Sequence, residues 1–247
     1  MSVFHFKQFD VVNERSAMKV NTDGVLLGAF TEVLPGDRKV LDIGTGTGTV
    51  ALMVAQRLVK ASPDCEIHAI DIDGPSFEEA AKNFASSPWK GCLMAFHTSL
   101  RSFGSESEYD LILSNPPYFD NSLQAPQARR NAARHTGVVS AEEEDSLSYR
   151  DVLEYSVAHL SPSGRVALVL PADQEKALLR YAGMCGLTPW KLLRVKTVPR
   201  KNPSRIVVQF VRRGRCDQCV EEEFTLMDEK GKRASHPSPM NLYLLDV

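Results

Sequence analysis

The segment from residue 39 to residue 58 constrains the fold more than any other part of the chain. It begins with an apolar strand, Lys39–Ile43, continues through three glycines in Gly44–Gly48, and ends in an apolar helix, Thr49–Leu58. Glycines allow positive φ and a close approach of the backbone to a ligand. Because this turn follows a strand and opens a helix, the segment predicts the cofactor-binding turn of a Rossmann-like α/β fold.

The next elements extend the same pattern. Glu66–Asp71 is predicted as a second strand that ends in an acid, followed by a helix at Ser76–Ala85 and a third strand at Leu93–His97. An acid at the end of the second strand can bind both hydroxyls of a ribose. Asp73 fits a helix cap better than Asp71 does, so Asp71 is assigned to the ribose.

A fourth predicted strand, Asp110–Ser114, runs directly into Asn115-Pro116-Pro117-Tyr118. Its continuous apolar run, Leu111–Leu113, is typical of a central parallel strand buried on both faces. Two prolines stiffen the segment after this strand, and ligands of doubly wound sheets bind beyond the carboxyl ends of the strands. This tip is therefore predicted to lie where the chemistry occurs. The alternative is a strand end that proline stiffens without any catalytic role.

Both flanks of this core carry further predicted elements. Residues 4–11 alternate apolar and polar side chains, which favours a short strand or a hairpin arm. A polar turn at Lys19–Gly24 precedes a helix that Thr22 or Asp23 caps. Beyond the tip, residues 119–148 form a long connection. The later elements are predicted as helices at Tyr149–Leu160 and Asp173–Cys185, strands at Arg165–Leu170, Leu187–Val198 and Ser204–Val211, and a last edge strand or tail from Phe224.

Length and composition indicate one globular domain. The chain has 247 residues, 43% of them hydrophobic and 24% charged, with a net charge of −2. It contains no run of about 18 apolar residues, and its start does not resemble a signal peptide. Five cysteines, an odd number, favour a reducing cytoplasm over a disulfide framework. The single Cys216–Cys219 pair has no second pair nearby, so no metal site is predicted.

Bulk charge does not indicate a nucleic-acid partner, but local charge does. Nine basic residues and no acid lie between Pro189 and Arg215, namely Lys191, Arg194, Lys196, Arg200, Lys201, Arg205, Arg212, Arg213 and Arg215. The long connection adds Arg129, Arg130, Arg134 and His135. These side chains are predicted to hold RNA phosphates, and the alternative is a solvated basic edge.

The spacing of the glycines separates two cofactor classes. Gly44, Gly46 and Gly48 follow a G-x-G-x-G pattern, whereas the dinucleotide fingerprint has its third glycine one residue later. Asp42, directly before the turn, would oppose a phosphate but not a cation. Two adjacent strands near the end of the chain also suit a seven-stranded, mostly parallel methyltransferase sheet with an antiparallel C-terminal edge. S-adenosylmethionine is therefore favoured over NAD as the cofactor.

These motifs together resemble a known family. Asp42–Gly48, Asp71 and Asn115–Tyr118 look like the motifs of class I S-adenosylmethionine-dependent methyltransferases that act on amino groups. The resemblance covers most of the chain. It departs from many class I enzymes at Ser99, where those enzymes carry an acid that binds the adenine amino group of the cofactor.

Three further segments narrow the resemblance to the bacterial tRNA1(Val) (adenine-37-N6)-methyltransferase family. They are Phe6–Phe9, Ala17–Ala29 and Ala133–His135. In that family the turn at Lys19–Asp23 is expected to close over the methionine part of the cofactor. The resemblance implies N6-methylation of an adenine in tRNA, and it implies tRNA as the partner.

The motifs and the resemblance together assign the site residues. The predicted cofactor-binding residues are Lys19, Thr22, Asp23, Asp42, Gly44, Thr45, Gly46, Gly48, Asp71, Ile72, Ser99 and Asn115. The predicted catalytic residues are Asn115, Pro116, Pro117 and Tyr118. The predicted substrate-binding residues are Tyr118, Phe119, Arg129, Arg130, Arg134, His135, Arg200, Lys201 and Arg205. The expected protein is a cytoplasmic monomer with one domain, in which residues 1–35 cap the cofactor site and residues 36–247 form the core.

The groups at the Asn115–Tyr118 tip suit the methylation of a planar amino group for a physical reason. The N6 lone pair of adenine is delocalised into the ring, so N6 is a weak nucleophile. Acceptors at the Asn115 side-chain oxygen and the Pro116 carbonyl would localise that lone pair, and Tyr118 would stack on the base. Two alternatives stay open. One is methylation of a glutamine side chain in a protein, and the other is a non-catalytic RNA-binding module on the same fold.

Overall fold

The computed structural model describes residues 2–104, 108–117, 147–232 and 239–243. Within these residues, an N-terminal hairpin pairs β1 (Val3–His5) with β2 (Asp10–Val12), as the alternation of residues 4–11 predicted. A separate sheet of eight strands forms the centre of the molecule. Its strands are β3 (Lys39–Ile43), β4 (Glu66–Asp71), β5 (Leu93–His97), β6 (Tyr109–Ser114), β7 (Leu160–Pro171), β8 (Leu187–Lys196), β9 (Arg205–Arg212) and β10 (Val220–Thr225).

The helices alternate with the strands. They are α1 (Thr22–Phe30), α2 (Thr49–Ala61), α3 (Gly74–Ser86), α4 (Tyr149–His159) and α5 (Glu175–Met184), with 3-10 turns at Ala172–Gln174 and Pro239–Leu242. The predicted cap of α1 was wrong. Asn21 caps this helix, because its side-chain oxygen accepts from the Gly24 backbone N–H at 2.9 Å. Thr22 and Asp23 therefore lie inside the first turn of the helix.

The strand order across the main sheet is β10-β8-β9-β7-β6-β3-β4-β5. Strands β7, β6, β3, β4 and β5 are parallel, whereas β9 runs antiparallel to both β7 and β8. This is the predicted fold class, with antiparallel pairing on the C-terminal side of the sheet. The sheet has one strand more than the seven predicted, because β10 pairs in parallel with β8 and forms the edge.

Strand β6 is central and buried on both faces, as its apolar run predicted. Leu111 and Leu113 point into the core that α1, α2 and α3 cover. Ile112 points into the opposite core, which α4 and α5 cover. All three side chains have no exposed surface. The carboxyl end of β6 is therefore held rigidly in the middle of the sheet, which fixes the position of the residues beyond it.

A buried ion pair ties β7 to the loop before β3. The Arg165 guanidinium donates to both carboxylate oxygens of Asp37 at 3.0 and 2.7 Å, and to the Glu32 carbonyl oxygen at 2.9 Å. In the described part of the chain, no helix has the length and apolar character of a membrane span. Within the same residues, no three His, Cys, Asp or Glu side chains are grouped to hold a metal ion.

Candidate active site at the carboxyl edge of the sheet

The glycine turn between β3 and α2 has the conformation that its sequence predicted. Gly44, Gly46 and Gly48 have φ values of 71°, 56° and 80°, which other residues adopt only under strain. A Cβ atom at Gly48 would also lie 2.5 Å from the ring of Phe84. The Gly44 and Thr45 backbone N–H groups both donate to the Ile70 carbonyl oxygen, at 2.9 and 3.0 Å. This contact fixes the turn beside the end of β4.

Asp71, at the end of β4, faces this turn. One carboxylate oxygen accepts from the Gly46 N–H at 2.8 Å, and the other accepts from the Asp73 N–H at 2.9 Å. Each oxygen keeps a lone pair for a further donor. Burial raises the pKa of Asp71, while these two backbone hydrogen bonds oppose that shift. Asp73 caps α3 through the Ser76 N–H at 2.9 Å, which is the role predicted for it.

Two cavities open at this edge. The main cavity has a volume of about 280 Å³, and the small cavity has a volume of about 30 Å³. The predicted residues that line the main cavity are Gly44, Gly46, Asp71, Ile72, Ser99, Asn115 and Pro117. Those that line the small cavity are Lys19, Asp42, Gly44, Thr45, Gly46 and Asn115. Gly44, Gly46 and Asn115 line both cavities, so the tip of β6 and the glycine turn meet where the cavities adjoin.

Three predicted cofactor residues line neither cavity. Thr22 lies within α1, and Gly48 is the N-cap of α2. Asp23 pairs with the guanidinium of Arg205 at 2.9 Å. Lys19 lines the small cavity, but its ammonium group donates to the carbonyl oxygens of Asn13, at 3.1 Å, and Glu14. In this arrangement Asp23 and Lys19 hold the polypeptide around the cavities.

The tip of β6 is anchored to the neighbouring strand. The Ser114 hydroxyl donates to the Ile43 carbonyl oxygen at 2.8 Å. Pro116 is buried, and Pro117 is exposed on the wall of the main cavity. The Asn115 side-chain nitrogen lies 3.5 Å from the sulfur of Met18. Six further predicted residues lie outside the described residues, namely Tyr118, Phe119, Arg129, Arg130, Arg134 and His135.

Residues 12–20, which we term the N-terminal strap, dock on α3 through polar side chains. Glu79 is buried, and its carboxylate accepts from the backbone N–H groups of Glu14, Arg15 and Ser16 at 2.6, 3.0 and 2.9 Å. Asn83 accepts from the Val12 N–H at 2.8 Å. Asn83 also donates to the carbonyl oxygens of Val12 and Thr47, at 3.0 and 2.9 Å. The same side chain therefore connects the strap to the glycine turn.

Sequence reasoning missed Glu79, Asn83 and the cavity-lining Met18. The polar side chains of α3 recur at helical spacing, but a polar stripe ordinarily faces solvent. Here it faces the protein because the strap supplies backbone donors and an acceptor for it. No signal in the sequence distinguishes these two arrangements.

Asp42 lies at the end of β3, fully buried behind the glycine turn. The Thr45 hydroxyl donates to its carboxylate at 2.7 Å. Burial raises the pKa of Asp42 from 3.8 to about 7, and the hydrogen bond from Thr45 only partly offsets this effect. Its carboxyl group is therefore partly protonated near neutral pH.

The raised pKa of Asp42 predicts a pH dependence of stability. Because the native pKa lies above the unfolded value, the unfolded chain binds fewer protons between about pH 4 and pH 7. The free energy of unfolding should therefore fall as pH rises through this window, by up to about 1.4 kcal/mol per pH unit. Asp42→Asn should lack this contribution. Urea unfolding from pH 5 to pH 8 measures it, and Asp64→Asn, at an exposed acid, should follow the wild type.

The predicted basic patch is largely paired within the protein. Lys191 pairs with Glu32 at 3.1 Å, and Lys196 pairs with Glu223 at 2.7 Å. Arg194 contacts both Glu175 and Glu221, at 2.5 and 2.7 Å. The stretch from Pro189 to Arg215 contains no acid because these acidic partners lie elsewhere in the chain, on α1, α5 and β10 or close to them. The net positive charge of this surface is accordingly smaller than the run predicted.

Three arginines of the same run are committed to other contacts. Arg205, a predicted substrate-binding residue, pairs with Asp23 at the start of α1. Arg212 and Arg213 donate to backbone carbonyl oxygens of neighbouring segments. The predicted residues Arg200 and Lys201 are exposed in the turn between β8 and β9. Because β8 runs parallel to β7, this turn lies at the same edge of the sheet as Asn115.

Comparisons with known proteins agree with this architecture. Residues 19–138 match the family model of the methyltransferase small domain. A predicted O-methyltransferase from Agrobacterium tumefaciens has a similar structure, with a TM-score of 0.61 and 12% identity, covering 87% of this chain and 92% of that one. At this identity the structural likeness shows the fold alone.

Curated relatives narrow the assignment further. A tRNA1(Val) (adenine(37)-N6)-methyltransferase from Phocaeicola vulgatus is 39% identical over 90% of this chain and 88% of its own. A protein of the same name from Bacteroides fragilis is 41% identical over 84% of this chain and 83% of its own. Similarity of this level and extent confirms the resemblance that the motifs indicated. The chain therefore belongs to the tRNA1(Val) (adenine(37)-N6)-methyltransferase family.

Proposed function

We propose that this protein transfers a methyl group from S-adenosylmethionine to N6 of an adenine in tRNA, with adenine 37 of tRNA1(Val) as its target. One observation carries the proposal. Asn115 and the two prolines after it extend from the buried central strand to the point where the two cavities adjoin. The names of the curated relatives support tRNA as the substrate. We propose that it acts as a monomer in the cytoplasm.

The residues of the site fit S-adenosylmethionine. The two carboxylate oxygens of Asp71 each accept one backbone N–H and keep a lone pair, which suits the two hydroxyls of a ribose. Ile43, Ile72 and Leu100 give the main cavity apolar walls that suit an adenine ring. Asp42 on the small cavity suits a cation, because a nearby positive charge favours its ionised form. The strap lines both cavities and would cap the cofactor.

The chemistry of the tip requires little beyond positioning. Bound S-adenosylmethionine supplies an electrophilic methyl group on a positively charged sulfur. The Asn115 side-chain oxygen and the Pro116 carbonyl oxygen would accept from the two N–H groups of the adenine amino group and localise its lone pair. Because the β6 tip is anchored to β3, these acceptors are preorganised. After methyl transfer the extra proton on N6 is acidic enough to pass to water, so no strong base is needed.

A labelling experiment tests the proposal. The protein is incubated with S-adenosylmethionine that carries a tritiated methyl group and with tRNA from cells that lack the modification, and the labelled nucleoside is identified. We expect label in N6-methyladenosine at position 37 of tRNA1(Val). Label in a glutamine of a protein would favour the glutamine alternative. Cofactor and tRNA binding without transfer would favour a non-catalytic RNA-binding module.

The turn between β8 and β9 provides a test of the tRNA surface. Replacing both Arg200 and Lys201 by alanine should weaken tRNA binding by about tenfold, and should reduce the slope of log K against log salt by about 1–2. The rate at saturating tRNA should stay within about twofold, because neither side chain lines a cavity. Filter binding at several salt concentrations measures both quantities.

Arg215→Ala serves as the matched control for this surface. Arg215 is equally exposed but follows the end of β9, at the opposite edge of the sheet. It should bind tRNA as the wild type does. Equal losses in the control and in the double variant would show a diffuse charge effect, and would contradict a tRNA surface at this turn.

A further inference from the structure

Met18 occupies an unusual position for an apolar side chain. It is 40% exposed, and it lines both the main and the small cavity. Its sulfur lies 3.5 Å from the side-chain nitrogen of Asn115. No motif assigns Met18 a role, although it stands beside the side chain on which the proposed reaction depends.

The backbone of Met18 is held from two sides. Its carbonyl oxygen accepts from the Ser16 hydroxyl at 3.0 Å, and the Ser16 N–H is in turn held by Glu79. The same carbonyl oxygen lies 3.4 Å from the position that a Cβ atom at Gly46 would occupy. The strap and the glycine turn therefore define where the sulfur of Met18 can lie.

We propose that Met18 is a positioning residue that selects the orientation of the Asn115 amide; this role rests on the proposed function. An asparagine amide can turn over and exchange its NH₂ group with its oxygen. Only the orientation with the oxygen toward the substrate accepts from the adenine amino group. The reversed orientation would place one NH₂ group against another.

A thioether suits this role because of what it lacks. Its sulfur is a weak hydrogen-bond acceptor and carries no hydrogen to donate. It therefore favours the NH₂ end of Asn115 and gives nothing to the oxygen end. The sulfur is also uncharged, so it attracts the adenine amino group only weakly. It therefore does not compete for that group with the side-chain oxygen of Asn115. The oxygen is left directed away from Met18.

Met18→Leu tests this role, because leucine keeps the approximate volume and removes the acceptor. The single-turnover rate at saturating tRNA and cofactor should fall about three- to tenfold, the range expected for one weak hydrogen bond. The dissociation constant of S-adenosylhomocysteine should stay within about twofold. Met94→Leu is the matched control, since Met94 is 38% exposed on β5 and lines neither cavity.

Testing Met18→Leu in an Asn115→Asp variant separates the effect of Met18 on amide orientation from its effect on packing. In Asn115→Asp both ends of the side chain are acceptors, so no orientation needs to be selected. Adding Met18→Leu to Asn115→Asp should therefore leave the rate unchanged. An equal loss in both backgrounds would show that Met18 only fills space and would overturn the inference. If the wild-type protein does not methylate adenine, the proposed function is overturned. If the wild-type protein is active and Met18→Leu has the same rate, only the role of Met18 is overturned.

Discussion

Replacing Asn115 by alanine is expected to lower the rate of methyl transfer by about 10²–10³, the loss typical of removing one preorganised acceptor or donor at a reaction centre. Without the side-chain oxygen, one N–H group of the adenine has no partner and the N6 lone pair stays delocalised. Cofactor affinity should change by about twofold or less, because Asp71 and the glycine turn do not depend on Asn115. Single-turnover kinetics and calorimetry with S-adenosylhomocysteine measure the two quantities separately.

Asn115→Asp is the control for this experiment, since it keeps the acceptor atoms in place. It should retain a larger share of the rate than the alanine variant does. Thermal unfolding of both variants should match that of the wild type, because the buried core of β6 lies at Leu111–Leu113 and is unchanged. A fully active alanine variant would disprove the mechanism proposed at the tip.

Replacing Glu79 by alanine is expected to weaken cofactor binding by about 10- to 100-fold, although Glu79 lines neither cavity. The change removes a buried carboxylate that accepts three backbone N–H groups of the strap. Hydrogen bonds to charged groups contribute about 1.5–3 kcal/mol, and part of this free energy keeps the strap docked. The undocked strap would withdraw one wall from each cavity. Calorimetric titration with S-adenosylhomocysteine measures the loss.

The neighbouring residue provides a matched control. Glu78 also contacts the strap, through Arg15 at 2.6 Å, but both side chains are more than half exposed, at 58% and 61%. Exposed pairs of this kind contribute little. Glu78→Ala should therefore bind the cofactor within about twofold of the wild type. Similar losses in both variants would show that acidic charge on α3, and not docking of the strap, determines affinity.

The sheet and the edge that carries the candidate site were predictable because their signals are local. The apolar run of β6 and the two prolines after it define a buried strand and its end. The glycine turn requires positive φ at Gly44, Gly46 and Gly48, which few other residues tolerate. Consecutive strands of such a fold place their carboxyl ends at one edge. Asp71 and Asn115 were both assigned to the cofactor from these features, and both line the main cavity.

The pairing of charged side chains was harder to predict, because an ion pair joins residues that are distant in sequence. Arg205 and Asp23 were assigned to different ligands, yet they lie 2.9 Å apart. The cap of α1 was misplaced by one or two residues because Asn21, Thr22 and Asp23 all have side chains that can cap a helix, and only the backbone conformation distinguishes them. The basic run likewise lost much of its free charge to acids from other elements.

The sequence by itself determined the fold class, the glycine turn, the tip of β6 and the family, because each depends on residues close together in the chain. Tertiary structure alone decided how the N-terminal strap docks on α3 and comes to line both cavities. Glu79 is 63 residues from Ser16, and Met18 is 97 residues from Asn115. Contacts over such separations form only when the whole core has brought α3, the strap and β6 together. No local pattern records them, and for this reason the tip was predictable whereas the side chain that orients it was not.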